Sequence, residues 1–311
     1  MICRYNGHSY VAVFRDLTMN PQKTGLLSLY FGIFLMSLTG LFAKSIPLDA
    51  TSITQLRSTV AIVALFIYCM LRGSSLRLKS FKEAAGIYGL GIFMAIHWVT
   101  YFHAMQVSTV AIGMLSLFSY PVITVLLEPL FQKKLPARAD LIAGALSFTG
   151  VVILTMDDST GLGGAALTGA AWGIFSALIF SIRNILQKYT YPDVPSGTLM
   201  FHQVVATAVI LIPFVDFGSV ASLELDKWAL IIALGVLCSS MAHTLLALSL
   251  KRLPAKSVAQ ISCLQPVLGA LLAWFVLKET IAPQVLGGGA LILAVAAWES
   301  YKQSYRPRAV S

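Results

Sequence analysis

The stretch Leu264–Glu279, LQPVLGALLAWFVLKE, decides the reading of this chain. It is apolar for most of its length, yet a glutamine and a proline interrupt it and a Lys–Glu pair closes it. A weaker copy lies about 145 residues earlier at Phe118–Lys134, FSYPVITVLLEPLFQKK. Proline removes a backbone donor and kinks a helix. Two interrupted apolar helices in corresponding places ask for a duplicated chain with a polar feature at membrane depth.

Composition supports the membrane. Of 311 residues, 57% are hydrophobic and only 11% charged, with a mean hydropathy of +0.80. A soluble domain carries roughly a quarter charged residues, so most of this surface must face lipid. The expected class is an all-α integral membrane protein. The net charge of +9 is spread over short loops, which is the pattern of membrane topology and excludes nucleic acid as a partner. Cys3, Cys69, Cys238 and Cys263 show no C-x-x-C spacing, so neither a disulfide framework nor a metal site is expected. GLGGAA at 161–166 lacks both the preceding strand and the following GK[ST] of a phosphate loop, and H-E-x-x-H does not occur. No catalytic residues and no cofactor are expected.

Runs long enough to cross a bilayer, about 20 residues each, fall near 25–46, 53–71, 84–104, 109–131, 138–155, 165–187, 198–217, 228–249, 256–277 and 281–298. That predicts ten transmembrane helices. With the N-terminus inside, the inner loops and tails collect most of the 22 Lys and Arg, against Lys44, Lys227 and Lys278 outside. Asp157, Asp158, Glu224 and Asp226 fall on outer loops. Both termini are therefore expected in the cytoplasm and the chain in a cell inner (plasma) membrane. Residues 1–24 show neither the short apolar core nor the small-residue cleavage site of a signal peptide, so none is expected there. Met19 opens MNPQKTGLLSLYFG, an alternative start that would make 1–18 an upstream extension.

The halves repeat. GIF at Gly32–Phe34 returns at Gly173–Phe175, and ITQLRSTVAIVALF (53–66) aligns with LMFHQVVATAVILI (199–212), setting Arg57 opposite Gln203. LGIF (90–93) matches LGVL (234–237), Pro121 matches Pro266, and Gly144 matches Gly289. Five helices per half is an odd number, so the second half enters from the other side. The expectation is two inverted repeats, 25–157 and 158–300, between a cytoplasmic segment 1–24 and a tail 301–311.

FHAMQVSTVAIGMLSLFSYPV (102–122) and LSLKRLPAKSVAQISCLQPVLGALLAWFVLKETIAPQVLGGGALILAV (248–295) resemble the two EamA repeats of the drug/metabolite transporter superfamily. The resemblance spans roughly 25–300. Its pattern is a mid-helix proline, a glutamate ending that helix and a glycine about ten residues on. Pro266, Glu279 and Gly289 fit it. Pro121 and Gly144 fit in the first half, but Lys134 fills the glutamate slot and Glu128 lies six residues before it. The resemblance implies ten helices and carriage of small organic metabolites, such as amino acids or drug-like compounds, often outward, with protons as the default coupling ion.

Ionisable groups inside spans are costly and mark sites. Arg57 reads either as a fixed cation for an anionic group or as a side chain snorkelling to the outer interface. His97 shares a helix face with Tyr101, and His243 lies at similar depth. The pair could titrate for proton coupling, or each could be satisfied by a neighbouring carbonyl. Gln260 and Gln265 flank the Pro266 kink, whose freed carbonyl needs a partner, as does that of the Pro121 kink. Trp98, Tyr101, Tyr120 and Trp274 are candidate aromatic walls. Glu128 and Arg183 are placed for an inner salt bridge. The expected site is a midplane cavity among helices three, four, eight and nine, for a small-molecule substrate moved by a secondary mechanism, in a monomer or homodimer. The competing readings are a membrane-embedded enzyme on lipid-linked substrates, which would need clustered carboxylates, and a non-transporting scaffold.

Overall fold

A computed structural model describes residues 20–39, 42, 45–108, 113, 116–155, 164–277 and 283–304. Eleven helices of eight or more residues run through these. We label them α1 (Pro21–Ser37), α2 (Ala50–Leu71), α3 (Phe81–Val107), α4 (Tyr120–Phe131), α5 (Arg138–Thr155), α6 (Gly164–Thr190), α7 (Ser196–Leu211), α8 (Leu225–Arg252), α9 (Ala255–Ser262), α10 (Leu264–Leu277) and α11 (Pro283–Ser304). Local chemistry sets several starts. Asn20 accepts from the Gln22 amide ahead of Pro21, Asp49 accepts from Thr51 and Ser52, and Ser80 accepts from Glu83 while Glu83 accepts from the Lys79 amide. Each satisfies donors that a helix start leaves open.

Among the described residues, five helices are long and apolar enough to cross a membrane: Ala50–Leu71, Phe81–Val107, Leu167–Thr190, Ser196–Phe214 and Leu225–Arg252. Their outer faces carry exposed Val63, Phe66, Ile67, Ile174 and Ile232, which water would not tolerate as continuous patches and lipid would.

The count differs from the ten expected because the ninth span is broken. α9 ends at Ser262, Cys263 turns on a bond from its amide to the Gln260 carbonyl, and α10 restarts at Leu264. Pro266 lacks the donor that would have reached Ser262, so the chain restarts a helix there instead of bending one. Pro121 corrects the expectation in the same way. It lies in the first turn of α4, where a missing N–H costs nothing, and the interior proline of that helix is Pro129. Glu279, Lys278, Lys44, Asp157, Asp158 and the side chain of Trp274 lie outside the described residues.

Helix packing repeats between halves. α3 packs on α6 and α8 on α1; α3 packs on α7 and α8 on α2; α4 packs on α5 and α9 on α11. The close approaches match as well. A Cβ on Gly91 of α3 would fall 2.6 Å from the Gln203 carbonyl and 2.5 Å from Ala206, both on α7. A Cβ on Gly235 of α8 would fall 2.9 Å from the Arg57 carbonyl and 2.6 Å from Val60, both on α2. Gly144 rests beside Val122 and Val125, and Gly289 beside Val267. Exchanging the halves turns one set of contacts into the other.

Most of the long helices run between the two ends of the bundle, whereas α9 stops and α10 starts at the break between them. The basic end holds the connections 72–80, 132–137, 191–195 and the α8–α9 turn. The opposite end holds 46–49 and 212–224, with a short helix Phe217–Ala221 capped by Asp216. α9 stops part-way, and its break lies deep between the ends.

Candidate functional site

The break between α9 and α10 opens onto a cavity of about 50 Å³, measured to the centres of water-sized occupants. Both halves line it. The first contributes Met36 near the end of α1 and Thr39 just after it, Arg57 of α2, His97, Trp98 and Tyr101 of α3, Leu117 and Phe118 before α4, and Tyr120 at its start. The second contributes Phe180 of α6, His243 and Leu246 of α8, and Ser262 and Gln265 at the break. Five of the six candidate binding residues therefore meet: Arg57, His97, Tyr101, His243 and Gln265. Gln260 does not line the cavity. Its amide nitrogen donates to the Asp140 carbonyl at 3.2 Å, and its Oε1 is buried without a partner. α1, α2 and α6 join the wall beyond the four helices expected, α10 being the second part of the ninth span.

Arg57 is only 2% exposed, so it does not snorkel. Its guanidinium lies 4.3 Å from the centre of the Trp98 ring and 5.5 Å from that of Phe102. A desolvated cation over an indole gains about 2 kcal/mol. Its Nε donates to Ser239 Oγ at 2.6 Å, and that hydroxyl donates on to the Leu234 carbonyl five residues back. The i−5 bond belongs to the π-helical stretch Leu234–Met241 inside α8. This widened turn brings Ser239 under Arg57, and Gly235 lets α2 come close enough. π-Helical turns concentrate at functional sites. Neither the π turn nor Ser239 is readable from an apolar sequence.

His97 is stacked on Phe180 at 4.3 Å between ring centres, with Tyr101 parallel at 6.3 Å. Its Nδ1 is 2.8 Å from Ser176 Oγ, and that hydroxyl donates to the His97 carbonyl. His243 meets the Trp98 ring edge-on at 5.1 Å, and its Nδ1 has no partner. Trp98 thus meets His243 at its edge and holds Arg57 on its face. Tyr120 and Gln265, equivalent residues just before the two prolines, each tie the break to a carbonyl: Tyr120 to Ala259 at 3.2 Å and Gln265 to Met36 at 3.3 Å.

Toward the basic end, polar contacts of Glu128 and Asp140 join the two halves. The expected Glu128–Arg183 salt bridge is not formed. Arg183 turns inward, its Nε donating to Gln203 Oε1 and its Nη1 to Asn184 Oδ1, both at 2.9 Å. Glu128 accepts from the Ala255 and Lys256 amides at 2.7 and 2.6 Å and from the Tyr189 hydroxyl at 2.7 Å. The first turn of α9 offers free N–H groups and a positive dipole end, a stronger attraction for a carboxylate than a guanidinium already satisfied elsewhere. Asp140 pairs with Lys256 and, at 3.1 Å, with Lys302, which also holds Glu299 at 2.8 Å. Sequence reasoning missed this second cluster because its members are far apart in the chain and sit at helix ends where charge looks ordinary. Among the described residues no group of three His, Cys, Asp or Glu could hold a metal ion.

The profile of the EamA-like transporter family matches residues 23–156 and again 167–299. The chain belongs to this family. As an EamA-like transporter it is similar to an uncharacterized transporter of Bacillus subtilis, at 22% identity over 83% of each chain. It is also similar to an uncharacterized transporter of Archaeoglobus fulgidus, at 26% identity over 88% of this chain and 95% of that one. A crystal structure with 19% identity superposes with a TM-score of 0.76, covering 91% of this EamA-like chain and 98% of its own, which shows a shared fold.

Proposed function

We propose that this protein is a secondary transporter of small organic metabolites, working by alternating access in a cell inner membrane with both termini in the cytoplasm. The observation that carries the reading is the cavity itself: it lies at the helix break, both halves line it, and polar contacts join the halves toward the basic end. The matched glycine contacts support two repeats of inverted topology, since exchanging related halves gives a second packing that opens toward the other side. The substrate must bind the occluded arrangement differently from the open ones to drive that exchange. Export is the direction we favour, and His97 and His243 are the titratable groups on the wall through which protons would couple.

The test is transport of a metabolite panel in proteoliposomes with an imposed pH gradient. Arg57→Ala or His97→Ala should lower transport without lowering expression. Unchanged transport in both variants would remove the site assignment, and no transport of any panel member by the parent would remove the function. Accumulation that ignores the pH gradient would discard the proton coupling alone.

A further inference from the structure

Arg57 offers five N–H donors, and one of them has an acceptor. Its Nε is bound to Ser239, and no described residue accepts from Nη1 or Nη2. No carboxylate among the described residues lines the cavity. Glu128, Asp140 and Glu299 are committed at the basic end. Asp49, Asp216 and Asp226 are engaged near the opposite end. A buried guanidinium with its fork open and no counter-ion is expensive unless something that visits the site completes it. The planar pair of nitrogens fits the two oxygens of a carboxylate.

His97 adds a second, independent requirement. Ser176 has one hydroxyl proton and gives it to the His97 carbonyl, so toward Nδ1 it can only accept. Nδ1 therefore carries the proton, and in the neutral ring Nε2 is left with a lone pair and no described partner. A ligand here is asked for a donor. The volume of about 50 Å³ equals roughly four waters at 10–15 Å³ each, enough for a solute of about half a dozen non-hydrogen atoms.

We propose that this cavity selects small carboxylates bearing a hydroxyl or amino donor, the carboxylate on the open fork of Arg57 and the donor on Nε2 of His97. The proposal rests on the transport reading for its physiological meaning but not for its chemistry. Trp98 lies under Arg57, so binding should change tryptophan emission in the full-length protein in detergent. Titrations with L-lactate and L-alanine should saturate. Propanoate, without the donor, should bind about tenfold more weakly, and lactamide, without the charge, about 10- to 100-fold more weakly. Arg57→Gln should cost the carboxylates the same 10- to 100-fold, with Arg57→Lys between. His97→Phe should bring lactate down to propanoate while leaving propanoate where it was. If Arg57→Gln does not fold, the lysine variant and His97→Phe carry the comparison. Lactamide binding as well as lactate, or neither lactate nor alanine binding at all, would overturn the proposal. Counterflow in proteoliposomes separates the two readings. Lactate or alanine that binds but is not moved upholds the carboxylate site and removes transport; lactamide moved while both carboxylates stay inert does the reverse.

Discussion

Among the described residues two arginines lie inside this bundle, and their surroundings differ in kind. Arg183 is fully buried, and Gln203, Asn184 and the Met200 sulfur surround its guanidinium. Gln203 is itself tied to Gln187. Arg57, nearly as buried, has an aromatic face beneath it and one hydroxyl at Nε. The repeat makes the contrast sharper, because Gln203 occupies in the second half the place Arg57 occupies in the first. One half uses the position to satisfy a buried cation; the other uses it to present one. Burial alone does not tell these two surroundings apart. The number of donors left without an acceptor does.

The largest effect expected from this contrast is on stability. Arg183→Met would leave the acceptors of Gln203 and Asn184 buried without their donor, costing about 2–4 kcal/mol. Arg57→Met removes a charge that nothing completes, and a flexible thioether fills similar space, so stability should change by less than about 1 kcal/mol while transport collapses. Thermal unfolding of the two variants in detergent checks this. Equal destabilisation would mean that Arg57 is structural too, and the distinction between the arginines would fail.

A smaller effect should follow from the matched glycines. Gly91→Ala pushes on α7 at Gln203, and Gly235→Ala pushes on α2 at Arg57. Overpacking of this kind costs about 1–3 kcal/mol, and the two should be alike in thermal stability. They should part in transport: the Gly235 variant shifts Arg57 relative to Ser239 and should lose selectivity among substrates, whereas the Gly91 variant disturbs only the satisfied arginine. A transport assay with two substrates of different charge reads the difference. Loss of selectivity in both would show that the halves respond as one body.

Much of this architecture was legible in the chain. Low charge, loop Lys and Arg, and the pairing of Pro121 with Pro266 were enough for a duplicated membrane protein with its polar feature at the helix break. Arg57, His97, Tyr101, His243 and Gln265 stood out because polar groups in lipid are rare, and the structure gathers them around one cavity. What failed were statements about pairs. Opposite charges at similar depth suggested Glu128 with Arg183, but a helix axis fixes depth and not rotation, and both side chains found neutral partners on other faces. Pro121 looked like a mid-helix kink because apolar text carries no mark of where a helix restarts. Ser239 could not be singled out, since its role depends on a π turn that no local residue preference announces.

Glu128 gives the contrast its third and mildest case, a buried charge answered by two backbone amides and the Tyr189 hydroxyl. Its two oxygens hold the first amides of α9, and α9 leads directly to the break that forms the cavity wall. Glu128→Gln keeps the shape but offers one acceptor and loses the charge facing the helix dipole, a change of about 1–2 kcal/mol. The fold should survive with little change in melting temperature, because Asp140, Lys256 and Lys302 still join the halves at this end. The effect should instead be local. Amide hydrogen exchange across 253–258 should quicken by about 5- to 30-fold, the factor that such a free energy represents, while exchange in α2 around Arg57 stays as it was. Slow exchange at Ala255 and Lys256 in the variant would mean that the amides are protected by packing, so that the carboxylate fastens nothing. Faster exchange spreading to α2 would mean instead that the contacts at the basic end and the arrangement of the cavity are one equilibrium.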